Sequence, residues 1–362
     1  MKRICYPLLL FVSSLIIFAG TVRPASADGP SDTGTVYPVE ITPFLGLNES
    51  DLGKIKDPDL LEFVTETRAL PSTGAKTSTV LSREFKVFLA YEPEMKETLH
   101  EQAEQLDIDR IYFYKYSSLV SVQAPVEKIA LLLQNNAVIT SVESDTAAQT
   151  FSFTLGSDAE QLTNIGAVHQ AGLDGEGTYI AIIDTGLDAN NPEFGGRVAY
   201  EHCWTSEYFY DPVGLFEAYP SCKSPSGSSP VTESSSAYPF WGDRSDFRQF
   251  FNHGSHVAGI AAGNGGVAPK ANIIALQVFS LEYGFDPERN QWNYYSISYL
   301  SNQIQALEYL VDLKKNGVNI VAANMSFGGL RYESYCDNDL RKPLIDLLAE
   351  LGVTAVVAAG NS

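Results

Sequence analysis

The chain has 362 residues, 44% hydrophobic and 11% aromatic, enough for two modest domains and a sizeable core and unlike a disordered polymer. With 44 acidic residues against 24 basic ones, the net charge is −20. That balance argues against nucleic acid as a partner and predicts a soluble, self-repelling surface, while carrying no information about substrate.

At the N-terminus, MKRICYPLLLFVSSLIIFAG sets Lys2 and Arg3 ahead of a short apolar stretch, and Ala25-Ser26-Ala27 precedes Asp28. Residues 1–27 therefore read as a cleaved secretory signal rather than an anchor, and no other stretch is long enough to span a bilayer. The expected destination is extracellular or periplasmic. Cys5 leaves with the signal. Of the three remaining cysteines, Cys203 and Cys222 share one aromatic-rich segment and make the economical disulfide. Cys336 is then the odd one, expected as a free thiol or as partner to a cysteine beyond residue 362.

Residues 28–82 are rich in Pro, Gly, Ser and Thr with little periodicity, and are expected to be an irregular pro-segment or linker. Phe85, Val87, Leu89 and Tyr91 then alternate as in a strand. Met95, Leu99, Ala103 and Leu106 recur at helical spacing. A strand region over 111–125, a short helix around 129–133 and a strand over 137–142 follow. This β-α-β-α-β order predicts a small α+β domain over 83–149, with helices on one face of a sheet.

Over 150–362 the pattern changes. Apolar runs at 179–183, 273–278, 318–323 and 353–358 read as strands buried on both faces. They alternate with two helical patterns. One carries Ile297, Leu300, Ile304, Leu307 and Val311 and stops at Asn316-Gly317; the other carries Leu344, Leu347, Leu348 and Leu351. Strands alternating with helices predict an α/β domain built on a parallel sheet. Residues 201–250 form a long insertion rich in Tyr, Ser and Pro, and no internal repeat is present.

In such a sheet the chemistry gathers at the carboxyl ends of strands. The first strand ends in Asp184-Thr185-Gly186, where a carboxylate is poised to orient a histidine; a turn aspartate is the plainer alternative. In FNHGSHVAGIAAG, His253 precedes Gly254-Ser255-His256 at a helix start, a placement that fixes an imidazole as a general base requires. His256 reads as an ordinary surface or core histidine. A metal set of Asp184, His253 and His256 is the rival, but no glutamate completes the H-E-x-x-H pattern, and no metal is expected. At 358–361, Ala358-Ala359-Gly360-Asn361 places an amide donor at a strand tip, as an oxyanion hole needs. GLDGEG precedes a strand instead of following one, and GNGGVAPK lacks the Gly-Lys-Ser/Thr of a phosphate loop, so no nucleotide is expected.

Together these segments resemble the subtilisin-like serine proteases, the subtilases, from about residue 160 onward. IAIIDTGLDANNPEF is similar to the family's aspartate motif, HGSHVAGIAAG to its histidine motif, and GVAPKANIIALQVF to the strand that follows. NMSFGG is similar to the segment that pairs with substrate backbone, and VVAAGNS to the oxyanion motif. The resemblance implies a subtilisin-like parallel sheet flanked by helices, preceded by a ferredoxin-like propeptide over 83–149. It also implies that Asp184 orients His253, that His253 is general base and then acid, and that Asn361 donates to the oxyanion. Ser326, Phe327 and Gly328 would form one wall of the primary specificity pocket, and Ala358, Ala359 and Gly360 the other. Polypeptides would be the substrates, and the propeptide an intramolecular inhibitor whose tail, 143–149, lies beside Ser326-Phe327-Gly328. Calcium is the family's usual ion, although no clear cluster of oxygen ligands stands out. The family's nucleophile lies in a Gly-Thr-Ser motif that these 362 residues lack. The chain is thus expected to stop short of its nucleophile and to be inactive as it stands, with Ser362 no substitute.

Overall fold

The computed structural model describes residues 47–56, 60–61, 63–65, 84–134, 136–145, 147–150, 164–210, 216–243, 247–286, 290–329 and 336–360. Its first unit contains β1 (Glu84–Tyr91), α1 (Lys96–Gln105), β2 (Arg110–Phe113), β3 (Leu119–Pro125), α2 (Val126–Leu133) and β4 (Ile139–Ser144). The strands form a four-stranded sheet in the order β2-β3-β1-β4, with β1 antiparallel to both neighbours. Alternation in β1 explains why both faces are buried. Val87, Leu89 and Tyr91 pack with Leu99 and Ala103 of α1 and Ile129 and Leu133 of α2. Phe88, from the opposite face, joins a different core, built from the second unit. The expected strand over 111–125 is two strands, because the chain reverses through Tyr114–Leu119, where Tyr114 N–H donates to Leu119 O (3.0 Å).

The second unit is a mixed α/β structure on a largely parallel sheet. Its strands are β6 (Tyr179–Asp184), β7 (Val198–Trp204), β12 (Glu233–Ser234), β13 (Asn272–Gln277), β16 (Ile320–Met325) and β18 (Thr354–Val357), in the order β12-β7-β13-β6-β16-β18. Only the short β12 runs antiparallel. Helices cover both faces, as the continuous apolar runs require. Ile182, Ile273 and Ala275 meet Ala258 and Ala262 of one helix, α4 (His253–Ala262). Ala181, Ile183, Ile274 and Leu276 meet α5 (Leu300–Lys315) and α6 (Lys342–Glu350) through Ile304, Leu307, Val311, Leu344 and Leu348.

A second six-stranded sheet joins distant segments: β17 (Phe327–Gly328), β5 (Ala147–Thr150), β15 (Gln291–Tyr299), β14 (Ser280–Asp286), β9 (Phe216–Tyr219) and β8 (Phe209–Tyr210), in that order. Ile297, expected on a helix, belongs instead to β15, opposite Ser280 and Gln149. Leu300 opens the helix three residues later, so the apolar spacing had run across a strand–helix junction.

The insertion is tied down by the Cys203–Cys222 disulfide, with Cα atoms 5.6 Å apart. The expected free thiol at Cys336 is not found, because its sulfur is also disulfide-bonded. The two units dock through buried polar contacts as well as Phe88. Asp145 carries a fully buried carboxylate that accepts from Ser301 N (2.9 Å) and Ser301 Oγ (2.6 Å) and pairs with Lys86 Nζ (2.8 Å). It thereby caps α5, whose own N-cap residue, Tyr299, offers no side-chain hydrogen bond. No helix among the described residues is long and apolar enough to cross a membrane.

Candidate active site

β6 is a central strand with parallel neighbours on both sides, so its apolar residues stay inside until the chain turns at Asp184. The turn needs glycine. Gly186 has φ +88, and a Cβ there would meet Ala237 O at 2.1 Å. Thr185 locks the turn to the helix that faces it. Its N–H donates to Asp184 Oδ1 (2.7 Å), and its Oγ1 accepts from Gly254 N (2.9 Å). Gly254 permits that approach, since a Cβ would lie 2.3 Å from Gly186 O. α4 therefore begins hard against the tip of β6, and its first residue is His253.

His253 Nδ1 lies 2.8 Å from Asp184 Oδ1, with side chains 9% and 1% exposed. An ionised carboxylate only accepts, so Nδ1–H is the donor. Asp184 Oδ2 is buried without a hydrogen-bond partner among the described residues. His256 is exposed.

Strand register brings the other expected residues to the same level. Met325 stands opposite Ile183 on one side and Val357 on the other, so Ser326 and Ala358 are level with Asp184 across three adjacent strands. Ala358 N–H donates to Met325 O (3.1 Å), and Ser326 Oγ accepts from Asn324 Nδ2 (2.9 Å). Ala359 is exposed, and Gly360 turns with φ +94. Asn361 lies outside the described residues. Phe327 is buried and packs edge-on against Phe279, which holds β17 in place (centroids 5.6 Å apart).

Alongside this level runs β5, antiparallel to β17 and to β15. Thr150 faces Phe327 and Gln149 faces Gly328; on the other side Gln149, Ala148 and Ala147 face Ile297, Ser298 and Tyr299. A backbone strand thus lies between two others at the mouth of the His253–Asp184 pair. Sequence reading missed Thr185 as the link between turn and helix, and missed 297–299 as the strand on the far side of the cleft. The second was legible, since Leu281, Tyr283 and Phe285 alternate before a turn and Trp292, Tyr294 and Ser296 after it.

This pairing of a parallel sheet with an aspartate–histidine couple at its strand tips is that of the subtilases. Residues 175–362, just over half of the chain, match the sequence model of the Subtilase family, and the chain belongs to that family. Subtilisin-like protease 2 of Trichophyton verrucosum is 27% identical over 191 residues, covering 52% of this chain and 32% of that protein. Alkaline protease 1 of Emericella nidulans is 29% identical over 189 residues, covering 52% of this chain and 33% of that protein. The chain thus spans about a third of the length of the curated relatives it matches. Among solved structures, the epidermin leader peptide processing serine protease of Staphylococcus aureus is similar with TM-score 0.49 and 18% identity, over 78% of this chain and 62% of that one. Fervidolysin of Fervidobacterium pennivorans has TM-score 0.44 and 20% identity, over 78% and 40%.

Proposed function

We propose that this polypeptide belongs to a secreted serine endopeptidase precursor that hydrolyses internal peptide bonds through an acyl-enzyme. The 2.8 Å contact between His253 Nδ1 and Asp184 Oδ1 carries the reading. With Nδ1–H directed at the carboxylate, Nε2 would take a proton from a serine hydroxyl and return it to the leaving amine. Asp184 holds the tautomer and stabilises the imidazolium. Asn361 would donate to the oxyanion, worth about 3–4 kcal/mol of transition-state stabilisation. Ser326-Phe327-Gly328 and Ala358-Ala359-Gly360 would flank the substrate residue before the scissile bond.

The unit over 83–149 acts, in this reading, as propeptide and inhibitor. Its tail supports this, because β5 adds to the strands beside the pair by main-chain pairing, as a bound peptide does. The enzyme is secreted after removal of residues 1–27, and calcium is the ion that the family resemblance implies.

The test is serine-directed labelling of the full-length gene product with a fluorophosphonate probe, alongside cleavage of a denatured protein. Labelling at one serine, abolished with activity by His253→Ala, is the expected result. Activity removed by chelators but untouched by the probe would overturn the mechanism. A synthetic 81–149 peptide should inhibit the activity at micromolar levels.

A further inference from the structure

The base of the β14–β15 hairpin lines the cleft through Ile297–Tyr299, while its tip, with no part in the chemistry above, displays an aromatic cluster. Tyr283 stands opposite Tyr294 and Phe285 opposite Trp292, with ring centroids 4.7 Å and 5.8 Å apart. Paired residues share a face, and this face continues down the hairpin to Leu281 and Ser298. Those two are 1% and 0% exposed, so the face is core at its base. At the tip it leaves the core: Trp292 is 42% and Tyr294 38% exposed. Cross-strand pairing accounts for the stacking, but it gives no reason to keep an indole and a phenol at the surface.

Two observations align this face with the cleft. The first is strand direction. From Ala147 to Gln149, β5 passes Tyr299, Ser298 and Ile297 in turn, so a chain in its place advances toward the hairpin tip. Against β17 the same strand moves from Gly328 to Phe327, toward the level of Asp184. The second is packing. Tyr294 meets Phe247 edge-on at 4.9 Å, and Phe247 meets Trp241 at 5.3 Å. Phe247 immediately precedes α3 (Arg248–Phe251), which ends two residues before His253. The tip therefore stands near His253, on the side toward which the bound strand runs C-terminally.

We propose that Trp292 and Tyr294, backed by Tyr283 and Phe247, form a specificity surface for the leaving-group side of a polypeptide substrate. It takes an aromatic or large apolar side chain carried within the first three residues after the scissile bond. The occupant is an extended chain in the β5 place. Ala148 pairs with Ser298, so alternate residues of such a chain fall on the face that bears Tyr294 and Trp292. This inference rests on the endopeptidase reading.

The test uses the full-length gene product after propeptide removal, with octapeptides identical except for Phe or Gly at each of the first three positions after the scissile bond. The wild type should favour Phe at one of them by about tenfold in kcat/KM. Trp292→Ser with Tyr294→Ser should collapse that ratio, while Tyr294→Phe, which keeps the ring, should preserve it. Should the double variant fail to fold by circular dichroism, Trp292→Ser alone is read, since its ring is already half in solvent. An unchanged ratio in a folded variant overturns the proposal. Binding is measured separately with the same peptides carrying a reduced amide at the scissile bond. Tighter binding of the Phe peptides without cleavage sinks the protease reading and sustains the surface. Cleavage of Phe and Gly peptides at equal rates sinks the surface and sustains the protease reading.

Discussion

At the scale of single residues, the pair at the strand tips and one buried carboxylate give opposite electrostatic lessons. Asp184 works through its position: among the described residues its Oδ1 accepts from His253 Nδ1–H and from Thr185 N–H. On the endopeptidase reading, Asp184→Asn should keep the shape but present the wrong tautomer, lowering kcat by about 10⁴-fold in steady-state peptide cleavage. Glu308 shows the cost side. It is 5% exposed on α5, and burial raises its carboxyl pKa even though Tyr116 N–H donates to Oε1 at 2.7 Å. A raised carboxyl pKa means that ionised Glu308 destabilises the fold. The penalty is present above the folded-state pKa and disappears below the unfolded one. Glu308→Gln retains an oxygen for Tyr116 N–H, so it should raise the unfolding midpoint of residues 28–362 at pH 7. The advantage should fade as pH falls to about 4, near the ordinary glutamate value. Equal gains at both pH values in urea titrations would show that desolvation is not the cause.

At the scale of elements, α5 depends on a cap borrowed from another part of the chain. Asp145 accepts two hydrogen bonds from Ser301 and neutralises Lys86. Asp145→Ala removes the cap and leaves an ammonium without its counter-ion. The expected loss is about 2 kcal/mol in urea unfolding of residues 28–362, the range for a hydrogen bond to a charged group. The insertion has its own constraint. Replacing Cys203 and Cys222 by Ser should cost about 3 kcal/mol on the chain-entropy account of a loop of this size, read as a lower unfolding midpoint. Several elements were legible before the fold: β1 from its alternation, β6 and β13 from unbroken apolar runs. The hairpin of β14 and β15 was legible too, in the alternation on either side of its turn, but the apolar spacing that carried Ile297 into a helix masked it.

Across the whole molecule, one sheet serves two cores. The inner face of β1 closes the first unit with Val87 and Leu89, while Phe88 crosses into the core built on α5 and α6. Each unit thus holds a core of its own, and Phe88 is part of the adhesive between them. On the inhibitor reading, an 81–149 peptide with Phe88→Ala should keep its circular dichroism spectrum. Its inhibition constant should rise by about 100-fold, the equivalent of about 3 kcal/mol for a truncated buried ring. A parallel loss of helical signal would instead mark Phe88 as part of the unit's own core.

The local chemistry was determined by the sequence alone. Unbroken apolar runs require a sheet buried on both faces, and a polar residue at the end of such a run must emerge at its tip. That much located Asp184 and His253 before any contact was known. Tertiary structure alone decided what stands beside them. The 2.8 Å bond between residues 69 apart, the cap from Asp145 to Ser301, and the placing of β5 between β15 and β17 all join segments that no periodicity links. Periodicity reports which face of an element is buried. It is silent on which distant element covers that face, because burial of apolar surface is non-directional and the partner is chosen only when the whole chain packs.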